Sequence, residues 1–198
     1  MKKLLLLFLA LSLAVMCSAC SKPVETTASE QKKPENTAVP EGHGVTKGAP
    51  CCWVSVNGNV CLVNADRYVI SVTENEKSGP ADLPQAKGLK IQSGSQAGWV
   101  LDFETDSQRD AFINLMNKIV SLECAGVIQE IDFSKPAAVT FLLKAGFTVR
   151  MGNCGSEEQA VIEDRLQKAI MLKDNLLEMG FNSGIIDTTP EVIRYIQQ

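Results

Sequence analysis

The sequence is poor in the residues on which catalysis most often depends. It has a single histidine among 198 residues, His43, and glycines flank that histidine in a polar stretch. A Cys–His nucleophile would therefore lack a positioned base. The sequence also contains no phosphate-binding loop, no Gly-x-Ser-x-Gly motif and no histidine-rich motif. Asp102 and Glu104, or Asp132, could be argued as paired carboxylates, but carboxylates at strand ends are usually solvated. We therefore expect a protein that is not an enzyme and has no cofactor.

The shortage of ligands also argues against a metal centre. The side chains of a type that zinc accepts are few: His43, Cys51, Cys52 and Cys61. Adjacent cysteines rarely chelate one ion together, and the histidine lies in a polar, flexible stretch. We expect no metal site.

The cysteines are better explained as structural residues. Five of the seven lie outside the N-terminal leader: Cys51, Cys52, Cys61, Cys124 and Cys154. Disulfides are permitted outside the cytoplasm. Two pairs are conceivable, Cys52–Cys61 and Cys124–Cys154. Both pairings together would leave Cys51 unpaired. The interpretation that we favour is buried free thiols.

Basic residues are too few for a nucleic-acid-binding protein. The formal net charge is −4, with 19 Lys and Arg against 23 Asp and Glu. Lys2 and Lys3 belong to the leader, so the mature chain is more acidic still. Phosphate binding needs a basic surface, and so does broad adsorption to anionic lipid. Neither is expected here.

The first 19 residues have the layout of a secretory signal peptide. A short basic start, Met1 to Lys3, precedes the apolar run from Leu4 to Met16, and small residues follow at Ser18 and Ala19. The next residue, Cys20, fits the lipoprotein pattern in which the cysteine thiol is acylated. The alternative is an uncleaved signal anchor over residues 4–20, near the lower limit for crossing a bilayer. Both arrangements put the body of the protein on the extracytoplasmic face of the cell membrane.

Residues 20–50 are predicted to be a disordered tether. Pro, Glu, Lys, Thr and Gly dominate this stretch, and it has too few large aliphatic residues to bury a core. Residues 51–198 are predicted to be the folded domain.

Two hairpins give the clearest local signals. Asn57-Gly58 between apolar runs indicates a two-residue turn that pairs Trp53 with Leu62 and Val54 with Cys61. Further along, a three-residue loop at 144–146 places six apolar residues on one face. The pairs that it predicts are Leu143 with Phe147, Phe141 with Val149, and Val139 with Met151.

Two helices are expected to pack on this sheet. The first spans about Ser107 to Glu123 and is capped by Asp106 or Thr105. The second is expected to start at a capping box from Ser156 to Gln159 and to run for about 24 residues. Gly180 then ends it. Strands at 183–187 and 191–196 follow. The class is therefore α+β, an antiparallel β-sheet with two helices packed on it.

The ordered series of these elements resembles the C-terminal β domain of the FtsQ/DivIB family of bacterial cell-division proteins. The resemblance covers residues 52–198. It runs through the turn sequence GFTVRMG at 146–152, the long helix after it, and GIID at 184–187. Upstream, the segment 53–66 is similar to the join between the family's first domain and its β domain. Leu83-Pro84 with Gly88-Leu89 is similar to the family's L-P-x-x-x-G turn.

The chain departs from the family in its first 50 residues. FtsQ/DivIB proteins carry a POTRA domain and a transmembrane helix before the β domain, whereas residues 1–50 are too short and too polar for both. Only the last POTRA strand could survive, at 52–56. Contacts that the family makes through the POTRA domain or the membrane span are therefore not carried over.

The resemblance implies a membrane-tethered scaffold with the division septum as its expected location. In the family, the last strands of this domain bind small coiled-coil partners, which resemble FtsB/DivIC and FtsL. The physical mode would be strand addition to a sheet edge, with Tyr195 as the best anchor. The matching positions here are Gly184, Ile185, Ile186, Asp187, Val192, Arg194, Tyr195 and Ile196. The alternative function is a repurposed lipoprotein that binds a small molecule, peptide or cell-wall fragment near Trp53 and Trp99.

Overall fold

The computed structural model describes residues 48–197, so the predicted leader, most of the tether, Cys20 and His43 lie outside the described residues. Within 48–197 the domain is α+β, with one large sheet and two α-helices, which confirms the expected class. No helix in this part of the chain is both long and apolar enough to span a bilayer.

The elements follow the chain in a simple order. The strands of residues 48–197 are β1 (Cys52–Val56), β2 (Asn59–Val63), β3 (Val69–Thr73), β4 (Gln85–Lys87), β5 (Ile91–Ser93), β6 (Asp102–Phe103), β7 (Ile128–Asp132), β8 (Val139–Leu143), β9 (Phe147–Gly152), β10 (Gly184–Asp187) and β11 (Arg194–Ile196). The α-helices are α1 (Asp106–Ser121), before β7, and α2 (Gln159–Glu178), between β9 and β10.

The large sheet is mixed, so the expectation of an antiparallel sheet is wrong. Its nine strands lie in the order β11-β10-β9-β8-β7-β4-β1-β2-β3, and β5 pairs separately with β6. Strand β4 runs parallel to both β1 and β7, and β10 runs parallel to β9. Parallel neighbours need long crossover connections. The connection from β4 to β7 contains α1 and that from β9 to β10 contains α2, whereas the chain passes from β1 to β4 through β2 and β3.

Both hairpins form, and the first has the expected register. Asn57 and Gly58 adopt φ of 52° and 82°, as a type I′ turn requires, and Trp53 pairs with Leu62. In the second hairpin Phe141 lies opposite Val149 as expected, and Gly146 has a φ of 91°.

The far end of the second hairpin differs from the expected register. Val139 lies opposite Gly152, not Met151, because the register shifts next to Thr140. This β-bulge makes Met151 the extra residue on β9. All six apolar side chains are nevertheless buried, so the expected face pattern is confirmed.

The helix caps agree with the sequence only at α1. There the Thr105 hydroxyl accepts a hydrogen bond from the Gln108 amide at 3.3 Å. The capping box at Ser156 is wrong, because α2 starts at Gln159 without a side-chain cap. The Asn153 side chain instead accepts the amides of Gly155 and Ser156, at 3.2 and 3.3 Å. That turn delays the helix, which has 20 residues.

The core lies between the two helices and one face of the sheet. Four fully buried residues of α1 contribute to it together with three of α2: Phe112, Leu115, Met116, Ile119, Ile162, Leu166 and Ala169. The strands from β7 to β10 contribute the buried alternate residues of their helix-facing side. The opposite face of these strands carries no α-helix, and we call it the open face.

Candidate functional site

The predicted partner-binding residues come together at one end of the sheet. Ile185 pairs with Ile196, Ile186 with Tyr195, and Asp187 with Arg194. Strand β10 also pairs with β9 along its whole length. Three of its four residues, Ile185 to Asp187, therefore have neighbours on both sides, and β11 is the strand that offers an edge at this end of the sheet.

Hydrogen-bond directions show which groups of β10 face β11. The Thr188 amide donates to the carbonyl oxygen of Arg150 on β9, at 3.2 Å. Backbone polar groups point alternately to the two sides of a strand. The amides of Ile186 and Thr188 therefore point to β9, and those of Ile185 and Asp187 point to β11.

The same alternation leaves one residue of β11 facing outward. Arg194 and Ile196 exchange backbone hydrogen bonds with β10, since they lie opposite Asp187 and Ile185. The amide and carbonyl of Tyr195 point away from the sheet. No strand of residues 48–197 lies beyond β11. The edge is thus open, but it is only three residues long.

The Tyr195 side chain serves the fold, so it is not the free anchor that the sequence suggested. Its ring lies 5.3 Å from Phe181 and 6.4 Å from Phe147, measured between ring centroids. Its hydroxyl donates to the Ser183 carbonyl at 2.8 Å. A Cβ at Gly184 would lie 2.5 Å from the ring, so the glycine permits this close contact.

Val192 does not belong to the edge strand. The expected strand at 191–196 starts only at Arg194, and the Val192 side chain is 72% exposed outside it. The Asp187 carboxylate accepts both the amide and the hydroxyl of Thr189, at 3.1 and 2.7 Å. This turn, followed by Pro190, leads the chain away before it returns as β11.

Asp187 is held in its ionised form. Burial alone would raise the pKa of its carboxyl group. The hydrogen bonds from Thr189, together with that from Arg150 at 3.4 Å, outweigh burial and lower the pKa. The carboxylate therefore keeps the turn after β10 closed at neutral pH.

The opposite edge of the sheet is partly covered by the chain itself. The Val69 amide donates to the Trp99 carbonyl at 2.8 Å, and the Gly98 amide donates to the Val69 carbonyl at 2.8 Å. The Leu101 amide likewise donates to the Arg67 carbonyl at 2.8 Å. The start of β3 is therefore occupied, which leaves β11 as the better edge for another chain.

The two tryptophans named in the alternative function differ in exposure. Trp53 is 8% exposed and lies tightly against Gly79, whereas Trp99 is 46% exposed. Of these two rings, Trp99 therefore offers the larger surface to a ligand.

Two depressions near β11 were not identified from the sequence, because separate segments line each of them. One, of about 400 Å³, lies between the first half of α2 and residues 188–193. The other, of about 360 Å³, lies at the ends of β7, β8 and β9 and is lined by Lys135, Thr140 and Arg150 among others. No local spacing links these segments.

The remaining chemical candidates are structural or solvated. All five cysteines of the described residues are free and buried. Burial raises the pKa of the Cys124 thiol to about 11 and that of Cys154 to about 12, so neither is an activated nucleophile. Glu104 pairs with Lys90 at 2.9 Å, and Asp132 accepts the Ser134 amide.

Within residues 48–197, no group of three or more His, Cys, Asp or Glu side chains is placed to hold a metal ion. No protein-family model and no curated protein matches the sequence.

Proposed function

We propose that this protein is a non-catalytic scaffold on the extracytoplasmic face of the cell membrane, similar in role to FtsQ/DivIB. An anchor at Cys20 or an uncleaved signal anchor would hold it there. Its partners would be small coiled-coil division proteins resembling FtsB/DivIC and FtsL. The observation that supports this proposal is the β11 edge, where the Tyr195 backbone faces outward at the end of a nine-stranded sheet.

The short edge sets the mode of binding. A partner strand can exchange two hydrogen bonds with Tyr195, and each contributes about 1 kcal/mol net. That is too little for stable capture, so side chains beside β11 must contribute as well. Ile196 is 41% exposed on the open face, and the half-buried Tyr195 and Phe181 lie on the helix side. We expect a partner strand with apolar residues on both faces.

The sharpest test removes one hydrogen-bond donor and leaves every side chain in place. Cys154 allows native chemical ligation of a synthetic C-terminal segment that carries N-methyl-Tyr195. The matched control is N-methyl-Val192, since the Val192 amide lies outside the strand and has no backbone partner among residues 48–197. Binding of the FtsB/DivIC-like protein of the same organism would be measured by biolayer interferometry.

We expect N-methyl-Tyr195 to weaken binding about tenfold or more, because it removes a hydrogen bond and places a methyl group against the partner. N-methyl-Val192 should bind as the unmodified chain does. Equal binding by both chains would reject strand addition at β11.

The cellular role needs a separate test. A fluorescent fusion to the full chain should collect at the division septum, and Cys20→Ala should release it from the membrane if the anchor is a lipid. An even distribution around the cell would argue against a role in division.

A further inference from the structure

The β11 edge is self-complementary, and this property follows from its register alone. Two copies related by a two-fold axis can join their edges only as antiparallel strands. A residue on the axis can exchange both backbone hydrogen bonds with its own copy only if it faces outward, because inward-facing residues have already used their polar groups. Tyr195 is the one outward-facing residue within β11. The register that joins two copies through hydrogen bonds of β11 alone therefore places Tyr195 opposite Tyr195.

We propose that two copies of this chain pair through β11, with Tyr195 of each copy opposite Tyr195 of the other. The two tyrosines exchange both backbone hydrogen bonds across the axis. The sheet then continues from nine strands in one copy into nine in its partner.

Charges at the edge agree with this arrangement. In the register set by Tyr195, Arg194 lies directly opposite Ile196 of the other copy, and never opposite Arg194. Like charges directly opposite each other would destabilise an antiparallel pair. The two Arg194 residues are diagonal neighbours on the open face, and each has Asp187 beside it on its own β10. The pairing therefore brings no like charges directly together.

The lengths of the strands make the pair weak and reversible. Tyr195 of each copy gives only two hydrogen bonds in all, so a small share of molecules would pair in dilute solution. Anchoring on one membrane would raise the local concentration and favour the pair. The pair covers the same backbone groups that the proposed partner needs. Self-pairing would therefore compete with partner binding, a last step that rests on the proposed function.

Disulfide cross-linking can test the register directly. Residues 194 and 196 of opposite copies form a non-hydrogen-bonded pair, where Cα atoms lie about 4.5 Å apart. That distance suits a disulfide. Two copies of residue 196 lie on the diagonal, about 7–8 Å apart, which is beyond easy reach. The native cysteines in the described residues are buried and should not interfere.

The experiment mixes two full-length variants, Arg194→Cys and Ile196→Cys, in the same lipid vesicles under a mild oxidant. We expect the mixture to form the mixed disulfide at least tenfold faster than either variant forms its own. Val192→Cys is the control for random collision, because its side chain is exposed outside the strand. A mixture that is no faster than Val192→Cys overturns the proposal.

Adding the FtsB/DivIC-like protein separates this inference from the proposed function. Loss of the mixed disulfide supports a shared edge. A fast mixed disulfide that persists with the partner bound supports self-pairing and rejects the edge as the partner site. No mixed disulfide, together with partner binding that N-methyl-Tyr195 weakens, rejects self-pairing and leaves the proposed function standing.

Discussion

Replacing Tyr195 by alanine should detach β11 without unfolding the domain. The ring contacts Phe147 and Phe181, and its hydroxyl holds the Ser183 carbonyl. Strand β11 otherwise has only the backbone hydrogen bonds of Arg194 and Ile196 to connect it to β10. The aromatic ring is thus the main apolar contact between this strand and the core.

The size of the effect can be worked out from these contacts. A tyrosine buries about 150–250 Å² when fully enclosed, so a half-buried ring covers about 100 Å². At about 25 cal/mol per Å², this area stabilises the strand by about 2.5 kcal/mol. The aromatic contacts add about 0.5–1.5 kcal/mol. With the hydroxyl bond, Tyr195→Ala should therefore cost about 4 kcal/mol, and Tyr195→Phe about 1 kcal/mol or less, because only that bond is lost.

Hydrogen exchange can locate the loss within one strand. The amides of Ile185 and Asp187 point to β11, whereas that of Ile186 points to β9. In Tyr195→Ala we expect exchange at Ile185 and Asp187 to accelerate by about three orders of magnitude. Ile186 should change little and is the internal control. Equal acceleration at all three amides would mean global unfolding, and no acceleration would mean that the ring does not hold β11. Either result would refute the reasoning.

Three other changes should follow from contacts described above. Gly184→Ala should lower the free energy of unfolding by about 1–3 kcal/mol, measured by urea titration. The reason is that Gly184 has a φ of 135° and that an added Cβ would meet the Tyr195 ring. Gly126→Ala is the control, because a Cβ there meets nothing within 4 Å. Burial raises the pKa values of the Cys124 and Cys154 thiols from 9.0 to about 11 and about 12. The stability that the unionised thiols contribute should therefore be complete below about pH 9 and lost as the pH rises towards 11 and 12. A flat stability profile over that range, measured by circular dichroism, would contradict this. Thr105→Ala should cost about 1 kcal/mol through loss of the α1 cap, seen as a lower urea midpoint with an unchanged slope; an unchanged midpoint would mean that water replaces the cap.

Local pattern predicted local structure well in this chain. The Asn57-Gly58 turn and the alternation from Phe141 to Val149 each specify one register, because a slip would move apolar residues to the solvent face. Both registers are found in the structure. The bulge at Met151 could not be read from the sequence, since the residue is apolar and buried in either register.

The arrangement of the sheet was harder to predict. Strand β4 has three residues, and its place between β1 and β7 depends on a crossover through α1. Nothing in its sequence, Gln85 to Lys87, indicates a parallel neighbour on each side. The predicted start of the last strand at residue 191 was also wrong, since β11 begins at Arg194. The hydrogen-bonded turn from Asp187 to Thr189 competes locally with extended backbone.

The edge strand at the C-terminus was expected from the family resemblance, and β11 forms the end of the sheet there. That it binds a partner stays a prediction. Tyr195 looked available because tyrosine often carries a wet hydroxyl. Its partners Phe147 and Phe181 come from distant parts of the chain, so only the folded structure shows that the ring is occupied.

The position of β4 also decides how the domain would respond to a pulling force. If the molecule is held at residue 51 and pulled at β11, the force acts perpendicular to the strands. Such a force breaks the hydrogen bonds between neighbouring strands one after another. The ladder between β1 and β4 has one registered pair, Trp53 with Gln85, and the Trp53 amide donates to Pro84 at 3.0 Å. By comparison, β8 and β9 share four registered pairs. Under load the sheet would separate first between β1 and β4, and the five strands from β7 to β11 would stay together.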